Sequence, residues 1–117
     1  MLKLILLTAI LTVAGGLVAC NEEPVSAAIA ELIASYELNP TESPHQVWRY
    51  EIEGKAVYYM PPRCCDIYSE LYDDNGVLLC HPDGGITGSG DGRCPYFVQE
   101  GKKRILIWTN PVMNELR

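Results

Sequence analysis

The sequence predicts an α+β domain: one N-terminal helix packed on an antiparallel sheet of about five strands, two hairpins plus a C-terminal strand, stapled by two disulfides. Three observations carry this. Apolar residues recur at helical spacing from Val25 to Tyr36, the period shifts to strand-like alternation from Trp48 onward, and four cysteines fall between positions 64 and 94. A helix and a sheet that each present one apolar face bury them most simply against one another.

The helix comes first. Val25, Ile29, Leu32, Ile33 and Tyr36 share one helical face, while Glu31, Ser35 and Glu37 lie off it. Pro24 suits a first-turn position, and Asn39 before Pro40 is pushed out of helical geometry, which ends the segment. The stripe reads as core.

Trp48, Tyr50 and Ile52 then alternate with Arg49, Glu51 and Glu53, and Gly54 precedes a second run, Lys55 to Met60. With Glu53-Gly54 as a two-residue turn, Tyr50 opposes Val57 and Trp48 opposes Tyr59. Opposed residues share a face, so this register builds an aromatic surface for the helix to cover. Arg49, Glu51 and Tyr58 fall on the other face, which is expected to meet water.

Pro61-Pro62 closes that strand, because proline gives no N–H to a ladder. A second hairpin is expected from Ile67 to Cys80 around Asn75-Gly76, with Tyr72 opposing Leu79 and Leu71 opposing Cys80. Asp74 reads as a turn residue. The last strand, Arg104 to Thr109, stops at Asn110-Pro111.

The N-terminus carries a different signal. Met1-Leu2-Lys3 gives one positive charge, and Leu4 to Val13 is apolar except for two threonines, before Gly15-Gly16 and the polar run from Asn21. The apolar run is short for a membrane span and has the form of a cleaved secretory signal. Leu17-Val18-Ala19-Cys20 resembles the lipobox of bacterial lipoproteins. In that family the matching cysteine, here Cys20, receives a diacylglyceryl group and becomes the first residue. Two acyl chains anchor stably where one is marginal, at about 0.8 kcal/mol per buried methylene. The expected organisation is therefore a signal peptide at 1–19, a lipidated tether at 20–26 and a single small domain at 27–117. The chain would be exported and anchored through acylated Cys20, palmitate included, to the cell membrane or outer membrane.

Removing residues 1–19 from the 117 leaves 98, enough for one modest core, and takes the formal charge from −6 to −7. That acidity argues against nucleic acid or an anionic bilayer surface as a partner, and Lys102-Lys103-Arg104 is too short a basic run to reverse it. With Cys20 consumed by lipid, Cys64, Cys65, Cys80 and Cys94 form an even set in an oxidising compartment, so two disulfides are expected. A bridge between adjacent Cys64 and Cys65 is the least expected pairing, since it strains the intervening peptide. The other two pairings, 64–80 with 65–94 and 64–94 with 65–80, stay open. Each bridge would contribute on the order of 3 kcal/mol by constraining the unfolded chain.

His81 to Pro95 is the stretch that folding explains least. It reads first as a bland loop. As a ligand loop, Gly84, Gly85, Gly88, Gly90 and Gly92 would let N–H groups converge on an anion, and Asp83 and Asp91 would offer oxygens to calcium. Neither a nucleotide-binding motif nor an EF-hand spacing is present.

The run from Tyr58 through Pro61-Pro62-Arg63-Cys64-Cys65-Asp66, then Leu71-Tyr72-Asp73, Gly76, Cys80, Pro82-Asp83-Gly84-Gly85-Ile86-Thr87-Gly88 and Gly90-Asp91-Gly92-Arg93-Cys94-Pro95, resembles a family of small exported bacterial lipoproteins known only as a domain of unknown function. The resemblance implies compartment and a disulfide-linked architecture. It implies no activity.

Three function classes remain. The first is a non-catalytic envelope module binding a protein or small ligand through disulfide-held loops, whose rigidity lowers the ordering cost of binding. The second is metal binding: calcium, or zinc or copper on Cys64, Cys65, Cys80, His81 and Cys94, a set without a C-x-x-C pair. The third, a small hydrolase, finds little support. Only His45 and His81 are present, both beside proline, without G-x-S-x-G or H-E-x-x-H, and a thiol oxidoreductase would want C-x-x-C. No catalytic residue and no cofactor is assigned.

Overall fold

A computed structural model describes residues 25–94 and 102–112. Helix α1 spans Ala27–Leu38. Five strands follow: β1 Gln46–Ile52, β2 Lys55–Met60, β3 Glu70–Asp73, β4 Leu78–Cys80 and β5 Lys102–Thr109. They form one antiparallel sheet in the order β4-β3-β2-β1-β5, with the helix packed on it. Cys20 and the expected signal and tether lie outside the described residues, apart from Val25 and Ser26. Among the described residues no helix is long and apolar enough to cross a membrane.

The helix begins where Ser26 caps it, its hydroxyl accepting from the Ile29 N–H at 3.2 Å. Such a cap is worth about 1 kcal/mol. Pro40 prevents continuation beyond Leu38, and Pro40–Glu42 form one turn of 3-10 helix instead. The expected stripe is the one that packs: Ile29 is fully buried, with Val25, Leu32, Ile33 and Tyr36 beside it.

The first hairpin has the register read from the sequence, Trp48 opposite Tyr59 and Tyr50 opposite Val57. Glu53 and Gly54 both take positive φ, 52° and 78°. That is the condition for a two-residue turn matching the twist of its strands.

The face beneath the helix corrects the expectation. Ile29 packs on Val47, Tyr58 and Met60, so the helix covers the side carrying Arg49, Glu51 and Tyr58. Full burial of a side chain such as Ile29, Val47 or Met60 contributes about 1.5–3 kcal/mol. Tyr58 is fully buried because its hydroxyl has somewhere to go: it donates to Asp74 Oδ1 in the next hairpin turn at 3.1 Å. The Tyr36 hydroxyl reaches Met60 Sδ at 3.1 Å. Glu51 stays half-buried within reach of Lys103 at 3.2 Å and Arg49 at 4.0 Å. The opposite face, with Val57, Leu71, Cys80, Tyr50, Ile52 and Tyr59, forms a second core closed by Cys94. Both faces of this sheet are apolar enough to need a cover, and alternation alone cannot say which cover takes which.

The second hairpin pairs Leu71 with Cys80 as expected, but Tyr72 sits opposite Leu78 because a bulge intervenes. The Asp73 carboxylate causes part of this by organising a longer turn, accepting from Asn75 N at 2.9 Å and Val77 N at 3.0 Å. Asn110, fully buried, ends β5 and locks it to the helix exit: its amide donates to Pro40 O at 2.8 Å and Pro44 O at 3.0 Å.

Candidate functional site

The glycine-rich stretch begins at Cys80, which is nearly fully buried against Leu71 and bonded to Cys94, with Cα atoms 6.2 Å apart. Within this closed loop Asp91 ties both ends together. Its carboxylate accepts from His81 N at 3.1 Å and Arg93 N at 3.0 Å, and its own N–H donates to His81 O at 2.9 Å. The Arg93 and then the His81 N–H groups hold its carboxyl below the usual carboxylate range.

The loop is docked on the segment before β3. Buried Ser69 exchanges four contacts with two loop residues: its N–H and hydroxyl donate to Asp83 O at 3.0 and 3.1 Å, its hydroxyl accepts from Asp83 N at 3.0 Å, and its carbonyl lies 2.8 Å from His81 Nδ1. The Tyr68 ring stacks on His81 at 5.0 Å between centroids and leaves Gly85 no room for a side chain; a Cβ there would lie 2.5 Å from Tyr68 Cε1. From β2, the Tyr59 hydroxyl lies 3.0 and 2.7 Å from the two carboxylate oxygens of Asp83. Burial and that neighbouring carboxylate raise the Tyr59 hydroxyl's pKa well above its ordinary value.

This wiring determines what the loop can do chemically. The N–H groups of Gly84, Gly85, Gly88 and Gly90 donate to Gly88 O, Ile67 O, Gly85 O and Gly84 O. An anion cradle needs such groups directed at the ligand; these four point at carbonyls. The carboxylates of Asp83 and Asp91 belong to separate hydrogen-bond sets, one with Tyr59 and one with backbone N–H groups. Gly92 keeps positive φ, 76°, with open space around it. Among the described residues no three of His, Cys, Asp and Glu gather as they would around a metal ion. What the loop offers outward is its tip: Ile86 to Ser89 are exposed, Ile86 to 89%.

The cysteine pairing corrects the sequence reading. Cys64 bonds Cys65, and Cys80 bonds Cys94. The strain expected of an adjacent bridge is taken up in the backbone, where Cys65 adopts φ 60° in the left-handed region. Both adjacent cysteines are exposed, in the turn after Pro61-Pro62. In this state none of the four thiols is left as a zinc or copper ligand. Beside them Arg63 pairs with Glu42 at 3.1 Å.

On the sheet face away from the helix, an open cavity of about 510 Å³ is lined by Val57, Leu71, Leu79, Lys55, Arg93 and the Cys80–Cys94 bridge.

Ser69, Tyr59 and Tyr68 are the residues that sequence reasoning missed, and they fix the loop. The signal available for them was weak. Tyr59 reads as an ordinary strand aromatic, and nothing in the sequence marks Tyr68 or a lone serine as a loop contact.

No curated protein and no solved structure matches the chain. Residues 34–110 match one family, described as a domain of unknown function, DUF6970.

Proposed function

Since the chain belongs to the DUF6970 family, which carries no assigned activity, we propose from its own residues that it is an exported envelope protein, lipidated on Cys20, acting as a non-catalytic interaction module. The observation that supports an interaction role is the contrast within the glycine loop. Its polar groups are spent on its own architecture, while Ile86 stands 89% exposed at the tip. An apolar side chain held out on a pre-ordered loop binds with little further entropy cost. It suits a protein partner with an apolar pocket better than an anion or a cation, for which the loop has few groups to spare.

Two measurements test the two halves of this reading. Metabolic labelling with palmitate and mass analysis should show acyl chains on the native protein and none on Cys20→Ser, which should also leave the detergent phase; an unlabelled native protein sinks the anchor. Photo-crosslinking from position 86 in intact cells should trap a discrete partner, and crosslinking from Leu38, 88% exposed on the helix, should not. Equal trapping from both positions, or from neither, rejects the loop as the contact surface.

A further inference from the structure

The adjacent bridge is not doing the job of the other one. Cys80–Cys94 has Cys80 buried and Cys94 half-buried, joins a strand to a residue 14 positions away and closes a core. Cys64–Cys65 joins neighbours, so it restricts almost nothing in the unfolded chain, and it closes no core cluster. Both of its sulfur-bearing residues are exposed, and holding it requires a left-handed non-glycine residue, Cys65. A bridge that adds little stability, sits in solvent and costs backbone strain has the properties of a labile disulfide.

We propose that Cys64–Cys65 is a thiol–disulfide exchange site, reduced and re-formed by a partner dithiol, while Cys80–Cys94 remains intact as the structural bridge. Both cysteines are exposed, so either sulfur is open to attack, and attack on Cys65 and attack on Cys64 lead to the same dithiol. In the first case a thiolate of the reductant attacks Sγ of Cys65. The S–S bond breaks with its electron pair going to Cys64 Sγ, which leaves as thiolate and takes a proton. The reductant's second thiolate then attacks its own sulfur in the mixed disulfide and releases Cys65, which takes the second proton. Two electrons and two protons pass to the cysteine pair, and the dithiol leaves as its disulfide. The reverse sequence re-forms the bridge.

The test uses the oxidised mature protein and dithiothreitol as the dithiol. Graded reduction under native conditions, acid quenching, alkylation and peptide mass mapping should place two labels on the Cys64-Cys65 peptide at a concentration at least tenfold below that labelling Cys80 or Cys94. Circular dichroism should not change at that first step. The half-reduced protein should then bind one equivalent of phenylarsine oxide, losing one water as both thiols join the arsenic, and Cys64→Ser should bind none. Labelling of both bridges together, loss of structure at the first step, or a non-reduced map linking Cys64 or Cys65 to Cys80 or Cys94 would each overturn the proposal.

Discussion

The hydroxyl of Tyr59 lies 2.7 Å from Asp83 Oδ2 and 3.0 Å from Oδ1, joining the middle of the sheet to the glycine loop. Removing it leaves a half-buried carboxylate short of a donor, and losing a hydrogen bond to a charged group costs about 1.5–3 kcal/mol. Tyr59→Phe should lower stability by that amount in urea. It should also raise amide exchange at Gly84 to Gly90 more than in the helix. A uniform rise across the chain would mean that Tyr59 acts on global stability alone.

The glycines of the loop should not behave alike. A Cβ on Gly84 would lie 2.5 Å from Ile67 O, and one on Gly90 would meet the Pro82 carbonyl carbon at 2.6 Å; Gly88 and Gly92 have open space. All four have positive φ, for which an L side chain costs roughly 1–2 kcal/mol. Alanine at 88 or 92 should cost only that, whereas alanine at 84 or 90 adds a backbone collision and should cost at least about 2 kcal/mol more than the open positions. Thermal melts of the four single variants rank them directly. Similar losses at all four would show that the loop is not packed as described.

What was legible in the sequence was the part set by near neighbours. The Val25-to-Tyr36 stripe, the stop at Asn39-Pro40, the Glu53-Gly54 turn and the pairing of Trp48 with Tyr59 each follow from residues close in the chain. Part of what failed needed partners far away. Tyr58 looked like a solvent residue because its hydroxyl partner, Asp74, lies in another hairpin. Leu79 looked paired because a bulge shifts register without a marker in the sequence. The site divides in the same way. The loop was visible as a run of glycines, but the residues that hold it, Ser69 and Tyr59, touch it only once the sheet has formed.

The two disulfides should separate in a stability experiment. Replacing Cys80 and Cys94 together by alanine removes a loop constraint worth about 3 kcal/mol, plus packing against Leu71 and Val57. Replacing Cys64 and Cys65 by alanine removes almost no constraint and relaxes Cys65, so the change should lie within about 1 kcal/mol of zero. Equilibrium denaturation of both double variants measures this. A loss of 3 kcal/mol or more from the adjacent pair would assign it a structural role.

Alkaline stability should report on four tyrosines. Burial raises Tyr36 to about 12 and pushes Tyr58, Tyr59 and Tyr72 upward from the ordinary value near 10. At Tyr72 and Tyr59 the facing carboxylates of Glu70 and Asp83 add to the shift. For a group whose folded pKa is raised, the unfolded chain gives up its proton first. Stability is therefore full below pH 10 and falls as pH rises through 10 toward 12. Each tyrosine ionised in the unfolded chain but not in the folded one contributes a slope of about 1.4 kcal/mol per pH unit. Tyr59→Phe should make the decline shallower by about one proton, in addition to its fixed cost at neutral pH. Paired urea titrations from pH 9 to 11.5, read beside tyrosinate absorbance, measure both quantities. An unchanged slope in Tyr59→Phe would show that this hydroxyl titrates alike in the folded and unfolded chains, and that the bond to Asp83 does not hold its proton.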